Sequence, residues 1–355
     1  MRALAFKEHG DSAVLTFLEV DIPGPQPGWT LLAVRAVALN HLDIWVRRGW
    51  PGLRLTLPHW TGSDIVGTVI ALDPARPSEA QIPVGSRVAA NPGYLIGHDE
   101  WTERGEQSVS PLYRIIGEDC KGGLAEYALV PTECLKLVPD HLCDPHAAAF
   151  LLTGTTVWRM LFTQGRLATN ETVLVVGAGG GVNSLAVFVA KRSGATVIAL
   201  AGTEEKRRAI LSVGADEAIC YRSTPEWHRE VLRLTGGRGV DLVVDNVGAA
   251  TFERSLKALR RGGRLVTVGN TSGPLISLDN RLLFSKQLQV LGSTMGSTDD
   301  FERVTEFLWH EALDNPRALD SLIDSVEPFE RGLELVARLE AGEQFGKIVL
   351  TMPMR

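Results

Sequence analysis

The sequence predicts an α/β fold, a doubly wound parallel sheet joined to a second, mainly-β domain. Three observations carry this. Between residues 173 and 201 an apolar run, a glycine cluster, a helix-spaced segment and a second apolar run follow in order, the pattern of a strand–turn–helix–strand unit with strands buried on both faces. Apolar runs and helical segments then alternate to about Met295, as crossovers between parallel strands require. The first 149 residues differ, with short strands broken by Gly and Pro.

In chain order, residues 1–6, 31–37, 65–72, 85–88 and 125–130 read as strands, with a rigid Pro- and Gly-rich connection at 23–28. Residues 91–119 are long, polar and aperiodic, which predicts a surface lobe without regular structure. Residues 147–162 read as a helix, and the parallel strands are expected at 173–176, 197–201, 217–221, 242–245, 265–268 and 288–291. Helices at 299–313 and 329–341 follow, and a last strand at 347–351 is expected to return to the first domain.

Gly177, Gly179, Gly180 and Gly181 stand between the first strand and a helix on which Val182, Leu185, Ala186 and Val189 share a face. Such a turn presents bare backbone N–H groups and a helix N-terminus to a pyrophosphate, so a dinucleotide is the expected ligand. The totals narrow the class further. A chain of 355 residues has room for two domains, and 45% apolar with 22% charged residues is ordinary for a soluble protein. A net charge of −6 without a long basic run argues against nucleic-acid or anionic-membrane partners. No apolar run has the length of a bilayer span, and MRALAFKEHG does not read as a secretory signal. Cys120, Cys134, Cys143 and Cys220 show neither paired metal-ligand spacing nor a disulfide framework, so a cytoplasmic location is expected.

Several motifs in this order resemble the medium-chain dehydrogenase/reductase superfamily over nearly the whole chain. They are Asn40-His-Leu-Asp43, Gly62-Ser-Asp-Ile-Val-Gly67, Gly122-Gly-Leu-Ala-Glu-Tyr127, residues 153–158, the Gly-rich turn, Asp245-Asn-Val-Gly248 and Phe345-Gly-Lys-Ile-Val349. The resemblance implies a GroES-like, mainly-β catalytic domain at 1–149, a Rossmann NADP-binding domain at 150–317 and a return segment at 318–355 completing the first. It also implies a homodimer or homotetramer built through the edge strand, 288–291.

Zinc-dependent members place a first ligand where this chain has Asn40, and a second where it has Ser63, followed by Asp64. The third falls within 150–158, which contains no Cys, His, Asp or Glu, and Leu42 replaces the hydroxyl that relays the alcohol proton. Catalytic zinc needs three protein ligands and one open position, so no metal is expected. The four positions of the family's structural zinc fall on Ile96, Asp99, Thr102 and Ser110, and the lobe is expected to be held instead by packing of Trp101 and Tyr113. The chain is thus similar to the zinc-independent, quinone oxidoreductase branch.

That resemblance also implies the cofactor. NAD-specific sites place an Asp or Glu at the end of the second strand, where Ala201 and Gly202 here leave room for a 2′-phosphate. Gly202, Lys206 and Tyr221 stand at the spacings with which that branch holds the phosphate, so NADP(H) is expected. The turn departs from the family pattern at its last glycine, replaced by Asn183, which either loosens the helix–strand contact or adds a donor near the pyrophosphate. Asn246, Val247, Gly269, Asn270, Gly292 and Ser293 are expected to line the cofactor at the strand ends.

Without zinc an alkoxide is poorly stabilised, whereas an enolate or hydroquinone anion is delocalised and can be held by hydrogen-bond donors. The expected reaction is hydride transfer from NADPH to a quinone or an α,β-unsaturated carbonyl compound. Asn40 is expected to orient the nicotinamide or the substrate carbonyl, Asp43 to fix backbone or a water, His41 to deliver a proton, and Thr153 to bond near the nicotinamide. Trp45 and Pro51 stand where relatives carry tyrosines, which leaves solvent as the default proton source. Trp50 and Trp60 are candidate apolar walls. Two alternatives stay open: reduction of an enoyl thioester such as a short acyl-CoA, and an NADPH-binding protein with little turnover.

Overall fold

The computed structural model describes residues 1–353. The chain forms two compact units, Thr153–Gly296 and a second made of Met1–Leu152 with the segment from Ser297 onward.

In Thr153–Gly296, the strands Thr172–Val176, Thr196–Ala201, Glu217–Cys220, Val240–Asp245, Leu259–Thr267 and Gln289–Gly292 form one parallel sheet in the spatial order 3-2-1-4-5-6. The order reverses between the first and fourth strands, the switch point at which such sheets open a crevice. Leu174, Val176, Ile198, Leu200, Val243 and Leu265 pack the core of this unit. The fifth strand starts six residues before the position expected from its apolar run (259 against 265). Its charged opening, Leu-Arg-Arg-Gly-Gly-Arg, hides it, yet Arg264 is nearly buried there because its guanidinium pairs with Glu171.

The other unit is organised on the strand Trp29–Ala38. One edge pairs with Asp64–Ala71; on the other, residues 29–33 take Tyr127–Pro131 and residues 36–38 take Lys347–Thr351. The last strand therefore returns to the unit that contains Met1–Leu152. Ile323–Pro328, which the sequence reading omits, runs parallel beside it; its residues Ile-Asp-Ser-Val-Glu-Pro carry too many polar groups to read as a strand. Leu32, Val37, Ile65, Val88, Ile116, Leu124 and Phe329 share the core. The helix Thr298–Asp314 packs here too, with Lys136 Nζ donating to Thr305 Oγ1 at 2.8 Å, so the second crossing between units precedes this helix rather than following it.

Two local expectations are corrected. The lobe at 91–119 has regular structure, a hairpin of Gly93–Leu95 with Tyr113–Ile115 and a short helix, Glu100–Glu103; strands of three residues are too short to show a period. The helix expected at 147–162 breaks at Phe150, which has φ −130° and ψ 23°. It resolves into Asp144–Ala149, Leu151–Trp158 and a π-helical turn, Arg159–Gln164. The break frees the Leu152 N–H, which donates to Asp64 Oδ1 at 2.5 Å. A carboxylate distant in sequence thus caps the second helix. Among the described residues, no helix is long and apolar enough to cross a membrane.

Candidate active site and cofactor cradle

Asn40 ends the approach to the helix His41–Arg48, and Asp43 on its first turn accepts from the Asn40 N–H at 2.7 Å and the Gly62 N–H at 2.9 Å. Burial pushes the Asp43 carboxyl up, against those two N–H groups, the Thr61 hydroxyl and the Lys347 ammonium. Beside it stands an ion pair absent from the sequence reading. Lys347 Nζ donates to Asp64 Oδ2 at 2.9 Å, Asn40 Oδ1 at 2.6 Å and Leu39 O at 2.7 Å. The two side chains of this pair are 2% and 0% exposed. All three ammonium donors are thus used. Asn40 Nδ2 donates to Asp64 Oδ2 at 3.0 Å, so Lys347 and Asp64 together set the amide's orientation. Its second hydrogen reaches only Ala38 O, at 3.4 Å. Lys347 was visible in sequence only as one charged residue opening an otherwise apolar strand, Lys347–Thr351.

Ser63 Oγ in this unit is buried without a hydrogen-bond partner, as is Thr153 Oγ1 in the other. Among the described residues no three His, Cys, Asp or Glu side chains converge as a metal cage requires. In the lobe, Ser110 Oγ donates to Asp99 Oδ2 at 2.6 Å and the Thr102 N–H to Asp99 Oδ1 at 3.0 Å. Three of the four positions aligned with structural zinc are thus joined directly. Packing adds to this: the Tyr113 hydroxyl closes on Gly93, and the Arg104 guanidinium lies 5.4 Å from the Trp101 ring centre.

The nucleotide end is assembled within the parallel sheet. Gly177 turns out of the first strand, Gly180 precedes the helix Gly181–Arg192, and Val182 lies on its first turn. A β-carbon at Gly179 would come 2.7 Å from Lys206 Cδ, so the lysine stem lies across the glycine turn. A β-carbon at Gly202 would come 2.6 Å from the Tyr221 hydroxyl. A side chain at either glycine would push the Lys206 or Tyr221 tip aside. Gly202, Lys206 and Tyr221, separate in sequence, therefore border one region beside the turn, with Lys206 on the first turn of the helix Glu204–Val213.

Asn183 neither loosens the turn nor leaves its amide to a ligand: Nδ2 donates to Val176 O and Oδ1 accepts from Asn246 Nδ2, both at 2.7 Å. Asn246 Oδ1 accepts from the Val268 N–H at 2.8 Å, tying three strand ends together. Val247 abuts Gly177, and Gly269 abuts Asn246. Ser293 Oγ is buried without a partner, whereas Asn270 and Gly292 are exposed. The cradle fits a dinucleotide on two grounds: side chains that close on bare glycines at 179 and 202, and hydroxyls at Thr153 and Ser293 left without protein partners. His41 is half-buried with its ring 6.3 Å from that of Trp45. Trp60 is core, its Nε1 donating to Gly122 O at 3.0 Å, while Trp50 is exposed.

Residues 26–140 match the family described as the alcohol dehydrogenase GroES-like domain, and residues 181–310 the zinc-binding dehydrogenase family. The chain belongs to the medium-chain dehydrogenase/reductase superfamily of oxidoreductases. It is 31% identical to a probable quinone oxidoreductase of Schizosaccharomyces pombe, over 96% of this chain and 94% of that one. It is also 31% identical to a crotonyl-CoA reductase of Streptomyces avermitilis, over 77% of this chain and 69% of that one. A solved NAD-dependent alcohol dehydrogenase superposes with a TM-score of 0.91 at 37% identity, covering 99% of this chain and 100% of the other.

Proposed function

We propose that this chain is an NADP(H)-dependent, zinc-independent reductase of quinones or α,β-unsaturated carbonyl compounds. The observation that carries the chemistry is Lys347. Its ammonium stands beside Asn40, at the position aligned with the first catalytic zinc ligand, and beside Asp64, which follows the second at Ser63, and it uses all three donors there. A fixed cation in contact with Asp64 repels a second cation, and Asn40 and Ser63 offer no anionic ligand. What this group of residues offers a substrate is a neutral donor. Asn40, held by Lys347 and Asp64, keeps one N–H in a fixed direction and only weakly engaged, so it is available to a carbonyl oxygen. Such a donor suits a delocalised enolate or hydroquinone anion.

The cofactor assignment is supported by Gly202, Lys206 and Tyr221, which border one region where no carboxylate stands at the strand end. The N–H groups of the turn at 177–181 would hold the pyrophosphate, Lys206 the 2′-phosphate, and the Thr153 and Ser293 hydroxyls the nicotinamide end. When bound, the nicotinamide supplies the hydride. Solvent returns the proton, with His41 as a second source. A cytoplasmic homodimer or homotetramer joined through the strand Gln289–Gly292 completes the reading.

Initial rates with NADPH and NADH on a quinone, an enal and crotonyl-CoA test the proposal. NADPH with the quinone or enal should give the highest kcat/KM. Lys206→Ala should raise KM for NADPH about tenfold or more and leave NADH within about twofold, as loss of one charge-assisted contact predicts. A preference for NADH, or stoichiometric zinc with alcohol oxidation, defeats it. The crotonyl-CoA reductase relative supports a second reading, enoyl-thioester reduction, which fastest turnover of crotonyl-CoA would establish instead.

A further inference from the structure

Asp245 ends the strand Val240–Asp245, the fourth of the parallel sheet, and is 0% exposed. Its register partner on the first strand is Val176, the residue before Gly177. The residue therefore stands where these two strands end around the crevice. Oδ1 accepts from the Val247 N–H at 2.9 Å and the Gly248 N–H at 3.2 Å. The Thr251 hydroxyl lies within 2.9 Å of both oxygens, and the Ser255 hydroxyl donates to Oδ2 at 2.6 Å. All of these donors are neutral. Burying a carboxylate is costly even when its oxygens are bonded, and an apolar side chain in its place would need no partners.

What the bonds accomplish is the shape of residues 246–248. With both N–H groups drawn to Oδ1, this turn has none left for a ligand. Its carbonyls are used as well: Val247 O accepts from the Ser272 N–H at 2.8 Å and the Ser272 hydroxyl at 2.7 Å. Gly248 has φ 91°, and a β-carbon on it would stand 2.9 Å from Gly273 O, so only glycine lets the turn close on its neighbour. The group left facing the glycine turn is the Val247 side chain. A β-carbon at Gly177 would stand 2.8 Å from Val247 Cγ2.

We propose that Asp245 is a positioning residue of the cofactor crevice: its carboxylate holds residues 246–248 so that Val247 forms an apolar wall at Gly177, covering the bound dinucleotide there and excluding water. A preformed wall spares the ordering cost that a loose turn would subtract from affinity. The proposal rests on the reading that the crevice holds a nicotinamide dinucleotide. It does not depend on which one, because the 2′-phosphate falls to Gly202, Lys206 and Tyr221.

Equilibrium dialysis of the full chain with NADPH and with NADH, alongside denaturation midpoints, tests it. Asp245→Ala should raise Kd for both cofactors about tenfold or more in a protein that still unfolds cooperatively. Asp245→Asn, whose Oδ1 can keep both backbone bonds, should bring Kd back to within about threefold of wild type. Val231→Ala, in the core of the same unit, should lower the midpoint yet leave Kd within about twofold, so lost stability alone does not mimic the effect. If Asp245→Ala does not fold, the nearly isosteric Thr251→Val carries the test, with Kd raised about threefold or more. Unchanged Kd values in the folded Asp245→Ala or Thr251→Val protein overturn the proposal and leave the cofactor reading standing. An Asp245→Asn protein as impaired as Asp245→Ala overturns it too. The expected rise in a chain that binds NADH more tightly than NADPH supports the proposal and overturns only the NADP(H) assignment. Binding of neither cofactor by the wild type overturns both.

Discussion

Asn183 shows how one substitution in a motif is resolved by its surroundings. Its amide bridges Val176 O and Asn246, so the position reads as a brace across the strand ends rather than a damaged glycine. Asn183→Ala should cost about 1–3 kcal/mol in a denaturant titration, because it leaves a carbonyl and the Asn246 amide unpaired in a buried setting. Glu118 gives a second residue-level test. Burial first, then the neighbouring Asp119 carboxylate, push its pKa from 4.5 to about 7. The folded chain therefore holds this proton where the unfolded chain has released it. The stability it contributes is complete below 4.5 and is lost as pH rises through about 7. Denaturation midpoints should fall between about pH 5 and 8, and Glu118→Gln should flatten that fall.

At the scale of elements, the lobe between the strands Arg87–Ala90 and Tyr127–Pro131 is the clearest case. Its sequence shows which metal ligands are missing but not that Asp99, Thr102 and Ser110 would meet. Asp99→Ala should make residues 91–119 the first segment cut in limited proteolysis, with cleavage about tenfold faster or more, since local opening sets the rate. The Ser110 hydroxyl holds the Asp99 carboxyl below the usual carboxylate range, with the Thr102 and Trp101 N–H groups adding to it. Its contribution is therefore present above that range and lost as pH falls through the folded value, so the wild-type lobe should open in acid. The broken helix at Phe150 teaches the same lesson. Residues 147–162 are helical by period, and only the Asp64 carboxylate at Leu152 shows why one helix becomes two.

For the whole molecule, cofactor binding and folding are linked. NADPH at about one hundred times its Kd should add about 2.7 kcal/mol to unfolding, a shift visible in Tm. Lys206→Ala should lose most of that gain at the same concentration, and NADH should give less of it to the wild type. The long-range order of the chain was legible from its periods and turns. Alternating apolar runs and helices fix a parallel sheet, and its observed order is 3-2-1-4-5-6. The return of the last strand to the N-terminal domain followed from motif order, its pairing with Trp29–Ala38 only from the fold, and Ile323–Pro328 was masked by its polar residues.

The sequence by itself determined the fold class and the glycine turn, because each is written in local spacing or in residue type, and its motifs' resemblance to the superfamily implied which residues stand at the ligand positions. Tertiary structure alone decided what fills those positions. Lys347 reaches Asp64 across 283 residues, and His146 reaches Asp320 across 174. No period or motif encodes such pairings. They arise because a buried charge or donor must find a partner wherever the folded backbone brings one within hydrogen-bond distance.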